Sequence, residues 1–244
     1  NLGNQTGYID KESLPTLGTV SRNQNGYPIG YFFGYKAIGV FQTQEEIDNY
    51  ISPATGKPIQ PNAVPGDTKF EDLNGDGVIS DDNEDRTMIG KPNPDWIVGL
   101  TVAADWNGFD LSAFFQGSFG ADVFDALRRY ELAAVNYTSD ALERWTGPGT
   151  SNSMPRIVLG DTPKNFRPST LLVHDASFLR LRNLQVGYTL PAQLTRKAYI
   201  QRLRFYASFD NLLTITGYKG MDPEIGSTMG IDKGVYPQAR VYTF

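Results

Sequence analysis

The 244-residue sequence predicts an all-β chain of about six to eight antiparallel strands. Three observations carry this. Aromatic residues make up 12% of the chain, with 13 Tyr and 14 Phe, and rings of this kind favour strands. Twenty-five glycines and 15 prolines punctuate it at short intervals, as turns between strands require. Several segments alternate apolar and polar residues with the period of two that a half-buried strand needs. The chain lacks an apolar run of the ~18 residues that a helical membrane span requires. A membrane β-barrel escapes that criterion, because its backbone is satisfied between strands and each strand is short and alternating.

Taken in order, residues 27–41 (YPIGYFFGYKAIGVF) read as one or two short strands with a glycine-marked break. Thr43 and Glu46 have the spacing of a capping box and start a turn or two of helix. Pro53, Gly56, Pro58, Pro61, Pro65 and Gly66 then mark a loop. Charge concentrates between positions 67 and 95, where nine acids face three bases. The chain carries -5 in all, so everything outside this window sums to about +1.

The clearest hairpin follows. Trp96, Val98, Leu100, Val102 and Ala104 share one face, with Ile97, Gly99, Thr101 and Ala103 on the other. Asn107-Gly108 is the strongest short-range turn signal, because both residue types accept φ > 0. The return strand, 109–119, places Phe109, Leu111, Ala113 and Phe115 on the apolar side. Residues 122–145 read as a partly helical excursion and 147–167 as loop. A long strand over 178–191 stops at Pro191, which has no donor for a ladder. Residues 192–200 offer a short helical turn, 203–209 alternate again, and 235–244 begin one more strand. Strands apolar on one side suit a soluble sandwich and the lipid-facing band of a barrel equally well.

Composition excludes several chemistries. Without cysteine there are no disulfides, thiolate metal sites or cysteine nucleophiles. His174 is the single histidine, so no multi-histidine metal centre can form. The acidic balance gives no phosphate-binding footprint, and nucleic acid is not an expected partner. No carboxylate pair is set up for glycoside hydrolysis, and the glycines lack the strand–turn–helix context of a phosphate loop. No catalytic residue is therefore expected.

The sharpest motif is DLNGDGVISDDN, residues 72–83. Asp72, Asn74 and Asp76 place oxygen donors at positions 1, 3 and 5 of a calcium loop, and Gly77 at position 6 lets the chain wrap tightly. Val78 at position 7 offers a main-chain carbonyl. Position 12 calls for a bidentate acid and holds Asn83, flanked by Asp82 and Glu84. The expected ligand set is thus Asp72, Asn74, Asp76, Val78, Asp82, Asn83 and Glu84, around a structural Ca2+. Another cation, or an acidic solvated turn, are the alternatives.

Six blocks carry a family resemblance. They are GDTKFEDLNGDGVISDDNEDRTMIGKPNPDWIVGL (66–100), FDLSAFFQGSFG (109–120), Arg144-Trp145 with Pro155-Arg156, VHDASFLRLRNLQVGYTLP (173–191), DNLLTITGYKGMDPE (210–224) and YPQARVYTF (236–244). In this order they resemble the C-terminal part of SusC/RagA-type TonB-dependent transporters of the Bacteroidetes outer membrane. The resemblance implies a transmembrane barrel of about 22 strands with a plug inside. Residues 1–244 would be a partial barrel with long extracellular loops, and 67–95 an acidic, calcium-like loop on the outside. The plug, the TonB box and the first two-thirds of the barrel would lie upstream of Asn1.

Cargo would be oligosaccharide or peptide, captured with a SusD-type surface lipoprotein and driven by the TonB complex. The remaining partners implied are the rest of the barrel and plug, and outer-membrane lipid. Thr101, Asp110, Ser112, Gln116, Asn183, Gln185, Arg204, Ser208 and Asp210 would line the channel or contact the plug. Trp96, Val98 and Leu100, with Leu184, Val186 and Tyr188, would meet lipid. The excursions at 122–167 and 217–235 would be extracellular. The competing reading is a soluble, calcium-stabilised β-sandwich that binds glycan.

Overall fold

The computed structural model describes residues 8–14, 18–81, 84–128, 130, 136–225 and 229–244. Among these, short strands dominate the first part: β1 (Tyr8–Leu14), β2 (Gly18–Gln24), β3 (Tyr31–Tyr35) and β4 (Ala37–Val40). Helix α1 (Gln44–Asp48), β5 (Thr68–Phe70) and β6 (Arg86–Gly90) follow. Then come the long hairpin β7 (Trp96–Trp106) and β8 (Phe109–Phe119), and short β9 (Asp122–Asp125) and β10 (Val173–Asp175). The chain ends with β11 (Phe178–Thr189), α2 (Ala192–Thr195), β12 (Arg204–Thr216), β13 (Ile231–Asp232) and β14 (Val241–Thr243). The all-β expectation holds. The chain divides into two units, Asn1–Asn93, Asp122–His174 and Ser227–Lys233 in one, Pro94–Ala121, Asp175–Gly226 and Gly234–Phe244 in the other.

The second unit is a single antiparallel sheet in the order β14-β12-β11-β8-β7. Residues directly opposite in antiparallel strands share a face, so the register assigns every side chain. One face carries the rows Val98–Gly117–Leu179–Ile215, Leu100–Phe115–Leu181–Leu213, Val102–Ala113–Leu184–Phe209 and Ala104–Leu111–Val186–Ala207. It ends in an all-aromatic row, Trp106–Phe109–Tyr188–Phe205, with the Phe109 and Tyr188 rings 4.5 Å apart. At the other end Trp96 faces Phe119. This face is open: Trp96 is 70% exposed, Leu100 60% and Trp106 76%.

Connections obey a simple rule. At the Trp106 end the strands join through Asn107 (φ 49) and Gly108 (φ 89), the two left-handed residues of a type I′ turn, and through residues 190–203. The turn 190–203 contains α2 and a 3-10 turn, as the helical reading of 192–200 expects. At the Trp96 end β8 and β12 run out into the long excursions. β12 continues to Thr216, beyond the 203–209 alternation, because Asn211 takes a left-handed φ of 54 and shifts the register. The tail strand is confined to Val241–Thr243, paired with Ser208–Asp210.

The first unit holds three small sheets: β1-β2-β3-β6, β10-β9-β13 and β4-β5. Val20, Phe32, Phe124, Leu172 and Ile231 form one buried cluster, and Tyr130, Ala141, Met154 and Phe166 another. The N-cap is present, as Glu46 N donates to Thr43 Oγ1 at 3.2 Å, while the Glu46 carboxylate reaches one residue beyond the cap of a capping box and accepts from Gln42 N at 2.8 Å. The partly helical reading of 122–145 needs correction at its start. Its described start is strand β9, which pairs in parallel with β13 and buries Val123 and Phe124. Among the described residues of this stretch helical character is a 3-10 turn, Ser139–Glu143; residues 129 and 131–135 lie outside the described residues.

Candidate functional site

The face opposite the open apolar one is polar, and it collects all nine residues assigned to a channel from the sequence. The row Ala103–Ser112–Gln185–Ser208 crosses four strands, and Thr101–Phe114–Asn183–Asp210 lies beside it. Gln116 stands opposite Gly99 and Arg180. The side chains are bonded to one another. Asn183 Nδ2 donates to Asp210 Oδ1 at 2.7 Å and to Ser208 Oγ at 3.1 Å. Arg204 Nε donates to Asp110 Oδ1 at 2.9 Å, and its Nη2 also reaches Asp110 Oδ2 and Gln185 Oε1.

That last bridge starts on β12, crosses β11 and ends on β8, and it passes over Gly187. A Cβ at Gly187 would sit 2.4 Å from Arg204 Nη2 and 2.6 Å from Asp110 Oδ1. Glycine is what leaves space for the ion pair. Gly187→Val is therefore expected to abolish the Arg204–Asp110 coupling. A double-mutant cycle of Arg204→Gln and Asp110→Asn should read a coupling in the native background and none in the valine one. Equal coupling in both would refute the assignment.

A second network was not anticipated. Arg180, 3% exposed, donates from Nε to Thr214 Oγ1 (2.9 Å), from Nη1 to Glu224 Oε2 (3.0 Å) and from Nη2 to Asp222 Oδ1 (2.5 Å). Arg182 Nη2 holds both oxygens of Glu224, while its Nε donates to Gln116 Oε1 at 2.7 Å. Two arginines and two acids thus bind the segment after β12 onto the sheet. A signal was present in the sequence: in Arg180-Leu181-Arg182-Asn183 two polar residues adjoin within an alternating strand, and the register shift falls between Leu181 and Asn183.

Burial pushes the Asp222 carboxyl upward, but main-chain donors at Gln238 and Glu224, with Arg180, outweigh it and hold it below the ordinary value. A depressed carboxylate stabilises the fold above the unfolded value, about 3.9, and the contribution is lost as pH falls through the folded value. Acidification from pH 5 to below about 3 is accordingly expected to undock residues 217–225, read as faster backbone exchange there. In an Asp222→Asn variant that extra acid response should vanish.

The acidic loop is framed by β5 and β6. Asp72 accepts from Gly75 N (2.8 Å) and Gly77 N (2.9 Å), Asn74 Oδ1 from Asp76 N, and Asp76 Oδ1 from Val78 N. Asn74 Nδ2 donates to both Asp76 Oδ2 (2.9 Å) and Glu84 Oε2 (3.0 Å), so two carboxylates meet across one neutral amide. Asp82 and Asn83 lie outside the described residues. Among the described residues no three acidic or histidine side chains gather as a metal cluster.

Asp85 is the residue that pins this loop. It is fully buried; Oδ1 accepts from Leu73 N at 3.2 Å and Oδ2 from Ser80 N at 3.0 Å, tying both ends together. Asp85→Ala would leave those amides without their acceptor, a loss of about 2–3 kcal/mol. The expected readout is a lowered melting temperature with increased proteolysis between residues 72 and 84; Asp85→Asn, which retains one acceptor, should lose less.

Distant sequence blocks converge on one framework in the first unit. The Trp145 ring lies against Gly66, with no space there for a side chain. Buried Asp67 accepts from Arg156 Nε (2.6 Å) and Asn165 Nδ2 (3.1 Å), and Thr68 N donates to Asn165 Oδ1 at 2.8 Å. His174 Nε2 lies 3.8 Å from Asp125 Oδ2.

No family model matches the sequence. TonB-dependent receptor P3 of Formosa agariphila is 34% identical over 231 residues, covering 90% of this chain and 22% of that protein. SusC of Bacteroides thetaiotaomicron, also a TonB-dependent receptor, is 29% identical over 91% of this chain and 20% of its own length. Among solved structures, that of the RagAB peptide transporter superposes with a TM-score of 0.68 at 26% identity, over 96% of this chain and 24% of the other. The chain thus spans about a fifth to a quarter of the length of these relatives. Shared sequence and shared strand arrangement together place it: the chain belongs to the SusC/RagA-type TonB-dependent receptors, of whose β-barrel it forms a part.

Proposed function

We propose that this chain is part of the wall of an outer-membrane transporter that imports oligosaccharides or peptides. The observation that carries the proposal is the two-faced sheet of the second unit, open and apolar on one side, hydrogen-bonded and polar on the other. Strands β7 and β8 have 11 residues each. At about 3.4 Å per residue and a tilt of about 40°, such strands span roughly 26 Å, against an apolar band of about 25 Å in outer-membrane barrels. Aromatic residues stand at both ends of that span, where girdles belong. A soluble glycan-binding sandwich would need the same face covered.

In this reading the long excursions are extracellular and the turns at the Trp106 end periplasmic. A SusD-type lipoprotein would close over the excursions, and TonB would supply the energy through the plug. The test is the full polypeptide extracted from outer membranes in detergent and compared unboiled and boiled on a gel, with uptake of labelled oligosaccharides and peptides by deletion and complemented cells. Heat-modifiable migration and uptake of one cargo class are expected. A protein that stays soluble without detergent and migrates alike in both lanes overturns the proposal.

The 72–84 loop is proposed to take a structural Ca2+. Its donors are hard oxygens, and Asp76 and Glu84 approach each other closely enough to benefit from a cation. Rotation of the Asn74 amide would present its oxygen in place of its nitrogen. Calcium added to the chelated full polypeptide is expected to raise its melting temperature and slow proteolysis at 72–84, and Asp76→Ala to remove both effects. No response to calcium would rule the site out.

A further inference from the structure

We propose that the turn 190–203 is an anchor for the headgroups of anionic phospholipids; the inference rests on the barrel reading above. Its residues include Arg196, Lys197 and Arg202 and no acid, in a chain that is net negative. All three basic side chains are exposed. So are large apolar ones: Leu194, Ile200 and Tyr199, the last at 99%. Tyr199 is held at φ 59, a left-handed conformation that bulky residues rarely adopt, with its N–H donating to Arg196 O at 3.1 Å. Ile200 N donates to Thr195 O at 3.1 Å. The turn closes upon itself through its backbone and spends that strain displaying an aromatic ring outward.

Position gives the display its meaning. The turn joins Thr189 to Arg204, directly beyond the row Trp106–Phe109–Tyr188–Phe205. Passing down this end of the sheet, one meets aliphatic rows, then a complete aromatic row, then exposed cations. A leaflet offers the matching order of acyl chain, interfacial region and phosphate. The nearest acids of the hairpin, Asp105 and Asp110, pair with each other in register on the opposite, polar face, and Asp110 is engaged by Arg204. Asp110 also attracts Arg202, so one of the three cations is partly offset from the polar face, and Arg196 and Lys197 carry the larger share of the display. Each cation at an anionic surface contributes a factor of about five in binding, so two full cations and a partly offset third give roughly 25- to 100-fold preference over zwitterionic lipid.

The test uses the full polypeptide in nanodiscs of phosphatidylcholine with or without phosphatidylglycerol, with retained lipid counted by native mass spectrometry. The wild type is expected to retain phosphatidylglycerol selectively, with the preference weakened at about 0.5 M salt. The triple variant Arg196→Gln, Lys197→Gln, Arg202→Gln should lose that roughly 25- to 100-fold preference while keeping heat-modifiable migration. Equal retention of both lipids by a heat-modifiable wild type overturns the anchor and leaves the barrel intact. Loss of heat-modifiability in the wild type itself would remove both. A photoreactive Tyr199→benzoylphenylalanine variant that captures a protein in place of lipid also overturns it.

Discussion

Leu100→Arg is expected to destabilise the membrane sheet by about 2–4 kcal/mol, the cost of arginine near the middle of a bilayer, whereas Thr101→Arg should cost less than about 1. Leu100 is central in β7, in the row Leu100–Phe115–Leu181–Leu213 on the open apolar face. Its neighbour along the chain projects to the other side, in register with Phe114, Asn183 and Asp210, where a guanidinium finds water, an amide and a carboxylate. The contrast between adjacent positions separates the effect of environment from that of arginine itself. Denaturant unfolding of the full polypeptide in bilayers checks it. Equal losses at both positions would mean that the two faces have been assigned wrongly. A negligible loss at Leu100 would mean that water, not lipid, meets it.

Arg180→Ala should be comparably severe, about 3–5 kcal/mol, because it breaks a buried pair by removing one partner. Arg180 and Asp222 are both almost fully buried, and the guanidinium also serves Thr214 and Glu224. Deleting it strands the Asp222 charge away from solvent, so the segment 217–225 is expected to leave the sheet and its amides to exchange freely. Arg180→Lys should recover only part, since an ammonium is a point charge and cannot hold two acids and a hydroxyl in fixed directions. Arg182→Ala should cost less: Arg182 is more exposed, and Glu224 keeps its bond to Arg180. Unchanged exchange of residues 217–225 in Arg180→Ala would show that other contacts hold this segment.

Much of the fold was legible because the determining interactions are local. The hairpin followed from alternation over 96–104 and from Asn107-Gly108, and those two facts also put Thr101, Ser112 and Gln116 on one side. The polar residues of 183–185 and 204–210 could be sorted for the same reason, since the strand period of two does not depend on what the strand pairs with. Alternation failed as a guide where the chain departs from the period. At Asn211 the left-handed residue shifts the phase, so Leu212 and Leu213 are consecutive and the strand reads as ended.

The remainder depended on partners far away in the chain. Asp122–Asp125 is a strand because Ile231–Asp232 lies beside it, more than a hundred residues on, and nothing in its own sequence names that partner. Asp85 is one acid among nine in its window until the folded loop turns Leu73 and Ser80 toward it. Arg180 was not legible as a polar-face residue: a period of two counted back from Asn183 puts it on the apolar side, and only the register shift between Leu181 and Asn183 returns it to the polar face, where it clamps Asp222 and Glu224 once the chain after β12 folds back. What the sequence determined by itself is the local geometry: strand period, turn type and the polarity of each face, all set by neighbours within a few residues. Tertiary structure alone decided which charges meet and which short segments become strands, because those choices depend on chain closures whose entropy is repaid only by contacts formed together.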